Sequence, residues 1–196
     1  MGHPQGKKEE SRARILAGAS QAFRRLGFGG AGVDGLAKAS GVTSGAFYAH
    51  FESKADAFQQ AVVTGMRDLA GAIRQLREDA GRKWTERFID FYLGERRTCD
   101  IGETCALQSL TGEVERASDA TRDAYAEELE AVIDAAADGL EGPSRDARRK
   151  EAIALLAMLA GGVSLARAVR DPHLSKEIAG AIRAATKDMR GRERAR

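Results

Sequence analysis

The stretch from Ala37 to Lys54, AKASGVTSGAFYAHFESK, constrains the fold more than any other part of the chain. A short amphipathic helix ends at Ser40-Gly41, and Thr43 is placed to cap a second one. Helical spacing turns Thr43, Ser44, Tyr48 and His50 of the second helix outward, with Ala46, Phe47 and Phe51 inward. Two short helices joined by a tight glycine turn make a helix-turn-helix, a motif that places its second helix in the major groove of DNA. Charge agrees with that reading. Residues 1–54 hold eight Lys/Arg against four Asp/Glu, a net +4, whereas the rest of the chain nets −2. Phosphate neutralisation needs a local surplus of this kind rather than a basic protein overall.

The remaining sequence predicts an all-α protein of about nine helices, because no segment alternates with period two. Ile15, Ala19, Ala22, Phe23 and Leu26 place the first helix at about Lys7–Leu26, ended by Gly27. Gly29, Gly30 and Gly32 form a flexible link to the second, Val33–Ser40, and the third covers Ser44–His50. Ser53 and Asp56 fit a capping box opening a long fourth helix that runs to Gly81. A fifth helix carries Trp84 to Tyr92, and a shorter sixth spans Cys105–Glu115. The seventh is capped by Ser118 or Asp119. The eighth opens at Ser144 and ends near Arg170, and the ninth runs from Pro172 to about Met189. The expected domains are 1–54 for DNA binding, 55–189 for ligand binding and dimerisation, and 190–196 as a basic disordered tail. No run of about 18 apolar residues is evident and the N-terminus lacks an apolar signal core, so a cytoplasmic chain without a membrane span is expected.

Over Ser11–Phe58 the chain resembles the TetR family of bacterial one-component repressors. The segments ILAGASQAFRRLGF and VDGLAKASGVTSGAFYAHFESK carry the likeness, most strongly at the Gly-Val, Gly, Phe-Tyr, His-Phe and Ser-Lys positions. The resemblance implies a nine-helix protein that dimerises through its last two helices and presents its third helices to a palindromic double-stranded operator. It also implies an inducer in the C-terminal domain that shifts the fourth helix and spreads the recognition helices. One position departs from the pattern. Family members usually carry Thr or Ser just before the second helix, where this chain has Ala31-Gly32-Val33. Gly32 offers no capping side chain, so backbone N–H groups would have to supply that phosphate anchor.

Within the DNA-binding segment, Thr43 and Ser44 open the recognition helix toward base edges, and Gly45 permits close backbone approach. Tyr48 offers a hydroxyl to phosphate or a ring to a thymine methyl, while His50 and Lys54 are placed to meet phosphates. The bland alternatives are a partly packed Tyr48, a capping or packing His50 and a helix-start Lys54. Phe47 and Phe51 read as core. The run Gly27 to Gly32 matches a dinucleotide fingerprint literally, but it follows a helix rather than a strand. No Walker A loop, G-x-S-x-G or zinc spacing occurs. No catalytic residue, cofactor or metal is nominated, and the chain is not expected to be an enzyme.

Candidate walls for a small apolar effector are Trp84, Phe88, Phe91, Tyr92, Leu107, Leu110, Leu129, Ile133 and Met158, each of which would equally serve as core. Cys99 and Cys105 flank a predicted turn. Cys105, at a helix start with Arg96 and Arg97 near in sequence, reads as a redox or electrophile-sensing thiol or as an inert packed residue. The eighth helix is apolar on several sides. Leu155, Leu159 and Val163, with Leu174, Ile178 and Ile182 of the ninth, are therefore the candidate homodimer seam. The rival to a ligand-responsive repressor is a helical adaptor of the same fold that has lost operator contacts.

Overall fold

Each periodic segment becomes a helix, and no strand occurs among the described residues, 4–194, of the computed structural model. The order is α1 (Pro4–Gly30), α2 (Val33–Ala39), α3 (Ser44–Tyr48), α4 (Lys54–Ala80), α5 (Trp84–Leu93), α6 (Glu95–Thr98), α7 (Ala106–Ser109), α8 (Thr111–Val114), α9 (Asp119–Ala137), α10 (Arg145–Ala168) and α11 (Pro172–Arg194). Single 3-10 turns lie at Gly81–Lys83 and Ile101–Glu103.

The expected nine helices are present, with two differences. The sixth is divided at Leu110 into α7 and α8, where the Thr111 hydroxyl donates to the Leu107 carbonyl at 2.6 Å and competes with the helix ladder. The turn α6 is additional. At the C-terminus α11 continues past Met189 to Arg194, because Arg190, Arg192, Glu193 and Arg194 are good helix formers and no proline intervenes. Residues 1–3 of the expected DNA-binding domain and 195–196 of the expected tail lie outside the described residues.

Packing divides the chain into two units, 1–65 with 100–125, and 66–99 with 126–196. Two of the three divisions fall inside helices, α4 and α9, and the third between Cys99 and Asp100, whereas the sequence places the end of the DNA-binding domain at 54/55.

In the first unit the turn between α2 and α3 is built from three local devices. Gly41 sits at φ 68, and the Gly41 and Val42 amides return to the carbonyls of Lys38 and Ala37 at 3.1 and 3.0 Å, a Schellman ending. Thr43 caps α3 by accepting from the Ala46 amide at 3.2 Å. The buried Ser40 hydroxyl lies 3.0 Å from the Ile15 carbonyl oxygen of α1 and 2.8 Å from that of Leu36, sharing one proton between them. At this crossing α1 has Gly18, where a Cβ would stand 2.7 Å from the Ser40 Oγ and 2.9 Å from the Ala39 carbonyl.

Gly27, at φ 70, breaks α1, but Phe28–Gly30 form a further turn instead of a flexible link. Phe28 lies against Phe23 and Phe58 with ring centroids 6.3 and 5.2 Å away, and its carbonyl accepts from Lys54 Nζ at 3.0 Å. Phe23, Phe47, Phe51 and Phe58 are all buried, as their inward spacing requires.

In the second unit Trp84, Phe88 and Tyr92 line one face of α5 with successive ring centroids 6.0 and 4.9 Å apart. The Trp84 indole N–H donates to the Gly139 carbonyl at 2.7 Å. Helix α10 meets the length and composition of a membrane span, with a mean hydropathy of 1.5 over an 18-residue window, although Glu151 and Arg167 keep it from being an unbroken apolar run. Its Leu155, Leu156, Leu159 and Val163 are buried inside the chain, as a core helix requires. At Gly162 a Cβ would come 2.7 Å from the Ile182 side chain, so that glycine sets the α10–α11 approach.

Gly18→Ala is expected to cost about 1–3 kcal/mol by overpacking the Ser40 crossing. A urea titration should show a lower midpoint with an unchanged slope.

Candidate nucleic-acid interface

The locked turn decides which side chains α3 exposes. Thr43, Gly45 and Tyr48 are open to solvent, and Tyr48 is 54% exposed, its ring edge-on to buried Phe47 at 5.8 Å. Ser44 is half-buried and donates its hydroxyl to Asp34 Oδ1 of α2 at 2.5 Å. Ala46 is half-buried rather than fully inward.

Two expectations change. His50 does not project outward: its amide returns to the Phe47 carbonyl at 3.0 Å, turning the chain back, and its ring Nδ1 is covered and without a hydrogen-bond partner. Lys54 is held as a structural cation, its ammonium 4.2 Å over the centroid of the Phe28 ring as well as bonded to the Phe28 carbonyl. The Ser53 cap does form, with the Asp56 amide donating to Ser53 Oγ at 3.0 Å. Asp56 accepts from the Glu52 amide rather than from that of Ser53.

Gly32 is the N-cap of α2 in extended conformation, with no side-chain cap, and the space beyond its Cα is open. Exposed Lys8, Arg12 and Arg14 add positive charge on α1; Arg12 also lies over the Phe51 ring at 5.6 Å and bonds to Gln60. Asp34 and Arg12 were not nominated from sequence. An acid in the first turn of a helix is indistinguishable there from one that answers the helix dipole.

Residues 15–61 match the family model described as bacterial regulatory proteins, tetR family. The chain carries a TetR-family DNA-binding domain. No curated protein sequence matches it. Among solved structures it is similar to the reduced form of E. coli NemR, at 21% identity and TM-score 0.73, covering 91% of this chain and 96% of that one. A TetR-family regulator from Agrobacterium tumefaciens aligns at 18% identity and TM-score 0.75, covering 95% and 98%. The fatty acid degradation regulator FadR from Bacillus halodurans aligns at 16% identity and TM-score 0.64, covering 93% and 96%. The chain thus shares the fold of these solved structures along most of its length.

The nominated ligand walls divide between the two packing units. Cys105, Leu107 and Leu110 belong to the first packing unit, and Trp84, Phe88, Phe91, Tyr92, Leu129, Ile133 and Met158 to the second. Phe91 is not a wall, because it is 36% exposed with the Arg96 guanidinium 4.8 Å over its ring. Leu129 and Met158 are half-buried, whereas Leu107, Leu110 and Ile133 are buried. A pocket of about 460 Å3 in the second unit is lined by Arg74, Arg77, Glu78, Arg82 and, of the nominated walls, by Trp84 alone. Four of its seven lining residues, Arg74, Arg77, Glu78 and Arg82, carry charge.

Both cysteines are free and half-buried. Cys105 caps α7 through its carbonyl, which accepts from the amides of Gln108 and Ser109 and from the Ser109 hydroxyl at 2.8 Å. Near it Tyr125 bonds to Thr111 at 2.9 Å. Burial raises the Tyr125 phenol above its usual range; the Thr111 bond lowers it and the Cys105 thiol adds to the rise. Cys99 instead donates its thiol to the Arg96 carbonyl at 3.5 Å, and Arg167 donates to the carbonyls of Arg96, Arg97 and Cys99 at 2.9 to 3.1 Å. Arg96 and Arg97 are engaged elsewhere than the sequence reading supposed: Arg97 bonds to the Leu93 carbonyl and to Ser175 Oγ.

The seam residues also redistribute. Leu155, Leu159 and Val163 fill the chain's own interior, while Ile153, Leu165 and Leu174 are exposed. All-round apolarity told that α10 has a second apolar face but not which residues are on it.

Gly32→Ser is expected to gain a few tenths of a kcal/mol, since a hydroxyl there can accept from the first-turn amides of α2. A small rise in the thermal midpoint, with unchanged circular dichroism, would be the sign of it.

Proposed function

We propose that this TetR-family regulator is a cytoplasmic repressor. It binds a palindromic operator as a homodimer and is released by a small apolar or electrophilic effector. The observation that carries operator binding is the exposed set Thr43, Gly45 and Tyr48, held on a turn whose buried side is fully packed. Phosphate positioning falls to the basic α1 surface and the free amides at Gly32, with base edges left to the start of α3. The half-buried His50 and the structurally held Lys54 contribute less than the sequence suggests.

The homodimer reading is supported by a charge-free exposed stripe on α10, Ile153, Ala157, Gly161 and Leu165, with Leu174 opening α11. Such a stripe is self-complementary about a two-fold axis, and the two recognition helices then meet half-sites about one helical turn apart. For release, two routes remain within the reading. An apolar molecule would part the Trp84–Phe88–Tyr92 stack, as fits the fold shared with a fatty acid degradation regulator. Thiol modification would act at half-buried Cys105, as fits the fold shared with a protein crystallised in a reduced form.

The test is binding to DNA immediately upstream of the chain's own gene and to a genome-wide operator selection. Affinity should fall on the order of 10³-fold between roughly 50 and 200 mM salt. Tyr48→Ala should weaken it by about tenfold without moving the fold's stability beyond about 0.5 kcal/mol. Oxidant-induced release that survives Cys105→Ser would eliminate the thiol route. Salt-insensitive or absent binding in both experiments would favour the adaptor over the repressor.

Leu165→Glu is expected to convert the dimer to monomer at micromolar concentration. Sedimentation velocity reads this directly, and an unchanged sedimentation coefficient would reject the α10 stripe as the seam.

A further inference from the structure

We propose that Asp34 and Ser44 form an acceptor-only reader that selects a cytosine or adenine amino group in each operator half-site. The proposal rests on the operator-binding reading and adds which base chemistry the recognition helix takes.

Ser44 is the first residue of α3 and Asp34 the second of α2, so their contact closes across the turn. The 2.5 Å separation is that of a charge-assisted O–H···O bond. Its polarity is fixed by chemistry, because a carboxylate oxygen has no proton to give. The single hydroxyl proton of Ser44 is therefore spent on Asp34 Oδ1. What Ser44 Oγ still offers outward is lone pairs, and the second Asp34 oxygen offers the same.

A free serine reads either a donor or an acceptor on a base edge. This one has only acceptors to present. In the major groove cytosine N4 and adenine N6 donate, whereas guanine O6 and N7 and thymine O4 accept. Guanine or thymine at that position would set lone pair against lone pair. The pair thus divides the four bases into amino-bearing and carbonyl-bearing sets, which Ser44 alone could not do.

The charge on Asp34 sharpens the inference. Asp34 is exposed, and among the described residues it has no ion pair, Lys38 one turn along α2 included. An uncompensated carboxylate beside α3 repels phosphate, so it lowers affinity for every sequence. Its removal should therefore move affinity and selectivity in opposite directions. A merely structural staple between α2 and α3 would move both downward together, along with stability.

The experiment is selection of duplex DNA from a random library by the full chain, run in parallel for wild type, Asp34→Ala, Ser44→Ala and Ser44→Thr, with thermal melting of each. Wild type should return one position per half-site restricted to cytosine or adenine on one strand, preferred on the order of tenfold over guanine and thymine. Ser44→Thr keeps the hydroxyl and should keep that preference. Ser44→Ala should lose it. Asp34→Ala, with the serine proton released, should admit guanine and thymine there while binding non-specific DNA more tightly than wild type. Unchanged consensus in both alanine variants would overturn the proposal while leaving operator binding intact. A wild-type requirement for guanine or thymine at the position that Ser44→Ala relaxes would do the same. No enriched sequence from any of the four proteins would bring down the operator-binding reading and this proposal with it.

Discussion

The surface offered by α3 depends on one buried hydroxyl. Ser40 Oγ shares its proton between the Ile15 carbonyl of α1 and the Leu36 carbonyl of α2, and Gly18 clears the space in which it does so. A buried hydroxyl left without an acceptor would cost roughly 1–3 kcal/mol, so this contact admits few alternatives. Once α2 is fixed on α1 in this way, the Schellman ending at Gly41 and the Thr43 cap leave α3 a single direction. A helix of five residues could not hold that direction by its own ladder.

The same unit shows how polar groups are divided between holding the fold and facing outward. Lys54 and His50 are drawn into structural duty by Phe28 and Phe47, which removes them from the outward face. Tyr48 is left outward because the ring beneath it, Phe47, already fills the core. Ser44 stands between these cases. Its oxygen is available, but its proton belongs to Asp34. Chemistry presented to a partner is thus set as much by intramolecular bonds as by residue type.

The second unit is organised by a different constraint, the apolarity of α10. One face packs inward through Leu155, Leu159 and Val163, with Gly162 bringing the Ile182 side chain close. The opposite face carries Ile153 and Leu165 into solvent. The stacked Trp84, Phe88 and Tyr92 are buried, and the open pocket nearby is lined by Arg74, Arg77 and Arg82 together with Glu78, Gly81, Trp84 and Gly139. The sequence could not separate packing from cavity wall at these positions, because an aromatic stripe on a helix has the same spacing in either role.

The sequence by itself determined the all-α class, the position and order of the helices, and the helix-turn-helix with its inward phenylalanines. These follow from short-range rules: helical periodicity, Thr43, Ser53 and Ser144 as caps, and glycine at Gly41. It also located the basic surplus and the family likeness over Ser11–Phe58. Tertiary structure alone decided the packing units, which cut α4 and α9 where no local signal marks a boundary. It decided that Phe91 faces out, that Leu155 faces in while Leu165 does not, and that Arg97 serves Ser175 rather than a cysteine. It also decided that Asp34 takes the proton of Ser44. Each of these depends on which distant residue arrives beside a side chain, and periodicity gives a residue its face without giving that face its neighbour.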